Sequence, residues 1–303
     1  MDVRRLELLR ELAERGSITD VARATNRTAS AVSQQLKVLE REAGVPLTER
    51  HGRGIRLTGA GRALATTATE VAVAIEKAQS TWKEFTEQPQ GTVTLTVFQT
   101  AGEMLLPGLL SELADAPGLS VRVSSVDPVL PDFADLTRDY DVVVADAPGI
   151  LPSWNERGLV TVPLMKEPLD IALPENHRLA GKRTLSPSDL ADETWIGVPI
   201  DFPYDRLLRQ IEIAGGFSAN ISQRIGDNGI VESLVSAGHG IAILPRFTTR
   251  DRENGLVTRP ISGVKTERQL TALVRPDRAV RPSVRLVVDA LQRESQRFAA
   301  AHR

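Results

Sequence analysis

Apolar positions in the first sixty residues recur three and four apart, in short blocks separated by turn residues. "RRLELLRELAERG" carries Leu6, Leu9 and Ala13 in helical phase and stops at Gly16. "SITDVARATN" opens on Ser17, a plausible N-cap, with Asp20 placed in the first turn to suit the helix dipole. "NRTASAVSQQLKVLE" then predicts a third helix capped by Thr28. Its Val32, Leu36 and Leu39 form one line, and Ser30, Ser33, Gln34 and Lys37 form another. "GVPLTERHGRGIRLT" reads as a bent connection and a small hairpin, with Gly52 and Gly54 permitting the turn.

From residue 58 to about 87 the pattern becomes one long helical run. Ala68, Val71, Ile75, Ala78, Trp82 and Phe85 alternate by three and four, a heptad seam over about three repeats. A single seam asks for a partner helix, and packing against the chain's own body is the alternative. Pro89 and Gly91 in "EQPQG" then mark a hinge or linker.

Beyond it, strand-like and helical runs alternate. "TVTLTVFQT", "LSVRVSSV", "YDVVVADA", "LDIALP", "TWIGVP", "GIAILP" and "QLTALVRP" read as strands. "EMLLPGLLSELADA" and stretches 204–214, 229–237 and 282–298 read as helices. Such alternation predicts parallel sheet covered by helices, and about 210 residues suggest two α/β subdomains.

Composition narrows the function. Cysteine is absent from the 303 residues, which removes disulfides, thiol catalysis and Cys-ligated zinc. No apolar run is long enough to span a bilayer, the charged N-terminus is no signal peptide, and a cytoplasmic location is the simplest reading. The net charge of −2 conceals an asymmetry: residues 1–60 hold 11 Lys and Arg against 8 Asp and Glu, and the remainder is acidic. A mildly basic end on an acidic body points to a polyanion met by the N-terminal part.

Catalytic signatures are missing. The chain has no P-loop, no Gly-rich dinucleotide fingerprint, no HExxH and no GxSxG elbow. Its four histidines are scattered, which argues against a metal site, and no cofactor is implied. Asp141 and Asp146 bracket one strand without making an acid/base pair, but Asp146 lies at the strand's C-terminal end, where α/β sheets bind ligands.

The N-terminal pattern describes a helix-turn-helix whose second helix bears a polar row. Serine, glutamine and lysine near such a helix's start can reach base edges, and carboxylates there would repel phosphates. A solvated helix face is the competing explanation. Arg50, Arg53 and Arg56 around the hairpin tip favour a wing that grips the DNA backbone or minor groove.

The order of these motifs resembles the LysR-type transcriptional regulators nearly end to end. "LELLRELAERGSITDVARATNRTASAVSQQLKVLEREAGVPLTERHGRGIRLTGAG" is similar to that family's winged helix-turn-helix. "PLDIALPENHRLAGKRTLSPSDLADETWI" and "LVSAGHGIAILP" are similar to its effector domain. The resemblance implies an α+β, multi-domain chain: a winged helix-turn-helix over 1–58, a linker helix over 59–88 for dimerisation, and an effector-binding domain over 89–303. That domain is expected to be two-lobed, α/β and periplasmic-binding-protein-like, with lobe one at 91–162 and 268–303 and lobe two at 163–267.

By the same resemblance, Ala29, Ser30, Ser33 and Gln34 face bases, while Thr28, Lys37, Arg50, Arg53 and Arg56 lie near phosphates. Val71, Ile75, Trp82 and Phe85 pair with a second copy, giving a homodimer or dimer of dimers on a palindromic double-stranded DNA site. A small-molecule effector lies between the lobes, near Gln99, Thr100, Ala101, Asp146, Ile200, Asp201 and Asn228, although Asn228 could instead cap its helix. Contact with RNA polymerase is also implied, and catalysis is not. Two departures stand out. Thr48 replaces the usual aromatic residue, and Ala29 and Ser30 occupy the region where many members have proline, so base preference does not carry over. An α/β enzyme with a fused helix-turn-helix, or a ligand-free architectural protein, are the competing readings.

Overall fold

The computed structural model describes residues 1–51, 54–86, 90–128, 132–249 and 255–302, without the side chains of 83–86. Contact density divides the chain into two units. The first comprises Met1–Gly91, Pro117–Ser120 and Val274–Leu286; the second comprises Thr92–Ala116, Val121–Leu273 and Val287–Arg303.

In the first unit, α1 (Val3–Arg15), α2 (Ile18–Ala24) and α3 (Ala29–Ala43) precede a hairpin of β1 (Thr48–His51) and β2 (Gly54–Leu57). Local chemistry sets the boundaries. Asp2 caps α1 by accepting from Arg4 N–H, and Gly16 ends it with φ +68°, a left-handed conformation that suits glycine. Ser17 and Thr28 cap the next two helices through Asp20 N–H and Ala31 N–H. The apolar rows then meet: Leu9, Leu12, Val21, Val32, Leu36 and Leu39 share one core with Leu47 and Leu57 of the hairpin arm.

Helix α4 (Gly59–Thr86) adds Ala65 and Ala68 to that core. It starts so close to the hairpin arm that a Cβ on Gly61 would lie 2.0 Å from the Leu47 carbonyl oxygen. Farther along, Glu76 accepts from Arg281 at 3.1 Å and Ser80 donates to the Val280 carbonyl at 3.2 Å. Part of this helix therefore packs on its own chain. Short helix α10 (Pro276–Ala279) belongs to the same unit, and a buried ion network joins it to α1. Arg10 donates to Asp277 at 2.8 Å, and Arg275 donates to Glu14 at 2.6 Å and to Asp277 at 3.2 Å.

The second unit is α/β. Its strands are β3 (Gly91–Val97), β4 (Leu119–Ser125), β5 (Val142–Ala147), β6 (Val160–Pro174), β7 (Thr194–Gly197), β8 (Asn220–Arg224), β9 (Ala242–Pro245), β10 (Leu256–Arg259) and β11 (Glu267–Val274). One sheet runs β10-β6-β11-β5-β3-β4, with β9 also paired to β6; β7 and β8 form a separate parallel pair. Helices α5 (Gln99–Leu113), α8 (Pro203–Gly215) and α9 (Asn228–Ser236) follow β3, β7 and β8, and α6 (Phe133–Leu136), α7 (Pro152–Glu156) and α11 (Pro282–Ala301) complete the set. Burial is continuous along the second half of β6, where Ile171, Ala172 and Leu173 are all enclosed.

Several elements differ from the sequence expectation. The large sheet is mixed rather than parallel: β3 and β5 run parallel, while β11 returns antiparallel to β5. β6 is one strand of 15 residues rather than the short "LDIALP", because Pro163 and Pro168, which cannot donate to a ladder, disguise it. α5 begins at Gln99 rather than Glu103, and its Pro107 sits inside the helix. β8 and β10 lie in stretches too polar or too short to stand out.

Candidate functional site

The outward face of α3 is built by the inward one. Val32, Leu36 and Leu39 are fully enclosed, which turns Ser30, Gln34 and Lys37 to solvent and leaves Ser33 half-buried. Thr28 Oγ1 accepts from Ala31 N–H at 3.2 Å and lies 3.0 Å from the Ser30 hydroxyl, with exposed Ala29 between them. Beside the row, an open groove of about 590 Å³ is lined by Gln34, Lys37, Arg41 and the turn at Gly44–Pro46.

The wing is anchored by one carboxylate. Glu40 Oε1 accepts from Leu47 N–H, Thr48 N–H and the Thr48 hydroxyl, at 2.9, 2.8 and 2.8 Å. Thr48 thus joins the hairpin to α3 through polar contacts. Arg50 is exposed; Arg56 is exposed too and donates to Glu49 at 2.7 Å. An exposed pair of this kind is weak enough for a phosphate to compete. Arg53 and the side chain of Phe85 lie outside the described residues. On α4, Val71 and Ile75 are half-buried and Trp82 is 70% exposed.

The second site is a cavity inside the α/β unit, lined by Phe98, Gln99, Thr100, Asp127, Asp146, Phe202, Tyr204, Asn228 and Arg268, among others. It gathers four of the seven residues expected there. Ala101 is instead packed in the core, and Ile200 and Asp201 do not line the cavity. Asp201 sits in the turn before α8 with φ +70°, and Ile200 beside it is exposed. Asn228 is not the cap of α9: Asp227 is, accepting from Ile230 N–H at 2.9 Å, which leaves the Asn228 amide to the cavity.

Arg268 organises the interior, and it was not singled out from sequence. It is 4% exposed on β11. Its Nε donates to Glu167 at 2.8 Å, its Nη1 to Asp146 at 3.2 Å and its Nη2 to the Thr100 hydroxyl at 2.7 Å. The guanidinium lies 4.9 Å from the Phe98 ring centre and 5.7 Å from that of Tyr204. Glu167 is fully buried on β6, and its other oxygen accepts from Phe247 N–H at 3.2 Å. Burial works to lower the Arg268 pKa, but Tyr204, Glu167 and Asp146 outweigh it and raise it, so the charge is permanent. Burial also raises the Asp146 carboxyl despite Arg268. Thr100 and Asp146, expected to meet a ligand, are thereby already engaged by the protein.

Other lining groups are unspent. Helix α5 and helix α8 start at Phe98 and Phe202, and neither start has a side-chain cap. Asp141, at the far end of β5, has a different duty: it accepts from Thr94 N–H and hydroxyl, both at 2.8 Å. Among the described residues no cluster could hold a metal ion, and no helix is long and apolar enough to cross a membrane.

Comparison with known proteins agrees with this architecture. Residues 3–62 match the model of the bacterial regulatory helix-turn-helix protein, lysR family, and residues 86–296 match the LysR substrate binding domain. The chain is 27% identical to the transcriptional dual regulator GltC of Bacillus subtilis, over 93% of this chain and 94% of that one. It is 25% identical to the hydrogen peroxide-inducible genes activator of Pectobacterium carotovorum, over 98% of each. Among solved structures, HinK, a LysR family transcriptional regulator from Pseudomonas aeruginosa, superposes with a TM-score of 0.57 at 22% identity, covering 97% of this chain and 98% of that one. Full-length CbnR complexed with its target DNA gives a TM-score of 0.54 at 21% identity, covering 97% and 100%.

Proposed function

Because the chain belongs to the LysR family of bacterial transcription regulators, we propose that α3 reads DNA through Ala29, Ser30, Ser33 and Gln34 and that the cavity around Arg268 receives the effector. The chain is a DNA-binding regulator with an effector-binding domain, and its relatives are regulators rather than enzymes. The observation that carries the DNA assignment is the polar row, exposed at Ser30, Gln34 and Lys37, opposite a fully buried apolar row on α3. Thr28, Lys37, Arg50, Arg53 and Arg56 contact phosphates around it, positioning the helix while the row discriminates bases. Residues 1–58 form the reading domain, 59–88 the linker helix and 89–303 the effector domain, with the lobes divided at 162/163 and 267/268.

The protein works in the cytoplasm as a homodimer or dimer of dimers. Val71, Ile75, Trp82 and Phe85 face the second copy, and two-fold symmetry matches a palindromic promoter site. Effector binding shifts a two-state equilibrium of the assembly by binding one state more tightly, and thereby alters DNA contact and engagement of RNA polymerase. The test is a metabolite screen by thermal unfolding, since a ligand selective for the native state raises its stability. Hits are expected to be weakened by substitutions that fill the cavity, such as Asn228→Leu, and to change affinity for DNA taken upstream of the gene. Stabilising ligands indifferent to Asn228→Leu would place the effector elsewhere.

A further inference from the structure

Among the charged groups lining the cavity, Asp127 and Asp146 face a single cation, Arg268, which is also claimed by Glu167 behind the wall. Among the described residues no positive charge is left for an anionic ligand, and one carboxylate is left over. Asp127 is exposed and makes no hydrogen bond with a described residue. Beside it, Tyr204 is 8% exposed, lines the cavity, and its hydroxyl makes no hydrogen bond with a described residue. That hydroxyl is not sealed off from solvent, so a ligand in the cavity can take it as a hydrogen-bond partner. Phe98, Phe202 and Tyr204 supply aromatic rings, whose faces attract cations. The guanidinium of Arg268 already lies near two of these rings, a resident example of what the pocket accepts.

We propose that the effector is a small amine, whose ammonium group is received by the Asp127 carboxylate among these aromatic rings, with the Tyr204 hydroxyl and the Asn228 amide completing its polar contacts. This rests on the cavity being the effector site. The free cavity volume is about 30 Å³, room for on the order of two water molecules, so the bound group is small or the lobes part to admit it. The uncapped starts of α5 and α8 offer amides to an oxygen carried beside the amine.

Although Asp127 is exposed as a residue, partial desolvation of its carboxyl, reinforced by Asp146 and opposed by Arg268, pushes it up to about 6. The groups facing it are Asp146 on β5, Arg268 on β11 and Tyr204 on α8. Amine binding therefore strengthens as pH rises through about 6 and Asp127 ionises.

The experiment uses the full-length protein and matched probes: ethylamine, ethanolamine and glycine against acetate and glycolate, by thermal unfolding and calorimetry at pH 5 and 7.5. The amines are expected to stabilise the protein and to bind several-fold more tightly at the higher pH. Asp127→Asn is expected to weaken them at least tenfold and to abolish the pH dependence, and Tyr204→Phe to weaken them less. Folding of each variant is checked by its own unfolding transition. Acids that stabilise the protein through Arg268 while amines do not would overturn the proposal and leave the cavity as effector site. Amine binding unaffected by both Asp127→Asn and Tyr204→Phe would overturn it as well. Stabilisation by any class that is indifferent to every cavity variant would instead overturn the effector-site reading itself.

Discussion

Arg268 and Asp146 stand 122 residues apart in sequence and meet at 3.2 Å inside the α/β unit, with Glu167 holding the other side of the same guanidinium. Removing the arginine leaves Glu167 buried without its counter-charge. Arg268→Met is therefore expected to cost about 3–5 kcal/mol, as breaking one half of a buried pair does. Pairing it with Glu167→Gln should recover a substantial part. Urea unfolding of the two variants checks this; an additive double variant would mean that the pair is not the source of the loss.

The proposed DNA face is expected to make two kinds of contact. Gln34→Ala is expected to cost about 1–3 kcal/mol on the cognate site if the amide pairs bidentately with a base, and little on random DNA. Anisotropy titrations on both DNAs check it; equal losses would remove Gln34 from base readout.

Arg53→Ala, by contrast, should weaken both DNAs alike and reduce the magnitude of the salt slope by about one. Binding constants measured from about 50 to about 200 mM salt supply the slope, and an unchanged value would exclude a phosphate contact.

The ion network between α1 and α10 carries a pH signature. Desolvation works to raise the Asp277 carboxyl, but Arg275 and Arg10 outweigh it and hold it below the usual carboxylate range. Glu11 is lowered too, against its own desolvation, by Arg15 and Arg275. Glu14 runs the other way, raised by burial. A carboxyl depressed in the folded state stabilises it above the unfolded pKa of about 4, and that stability is lost as pH falls through the folded value. Asp277→Asn should thus be much less stable than the parent at pH 7, with the gap narrowing below about pH 4. Urea midpoints across this range measure it, and a constant gap would show that the charge of Asp277 contributes nothing.

Ile75→Glu places a carboxylate on the α4 seam where the residue is half-buried within one chain. Sedimentation is expected to show monomers. A persisting dimer would assign the seam to intramolecular packing, of which Ala65 and Ala68 already give an example.

Periodicity exposed the N-terminal helices because each has its own cap and its own buried row: Ser17, Thr28 and Gly16 mark their ends in the sequence as they do in space. The cavity was only half legible. Asp146 and Thr100 could be placed because strand ends and helix starts are local features. Their engagement by Arg268 could not, since it depends on β11 lying beside both β5 and β6. One signal was present. In "ERQLTALV", Arg268 falls in phase with Leu270 and Ala272, a charged residue on the buried side of a strand. Asp127 and Tyr204 left no comparable trace, because a carboxylate in a loop and a tyrosine in a first helical turn are ordinary until the fold brings them to one cavity. Asn228 was ambiguous for a simpler reason: Asp227 beside it is an equally good cap.

If a small molecule bound beside Arg268 controls how this protein holds DNA, its effect must be visible on the DNA itself. A DNase I footprint on the DNA upstream of the gene reads it, with and without a compound whose stabilising effect depends on Asp127 and Tyr204. The compound is expected to change the length of the protected region or its hypersensitive bands. Asp127→Asn is expected to remove the change while keeping the ligand-free footprint. An identical footprint and affinity with the cavity saturated would refute control of DNA contact from this cavity.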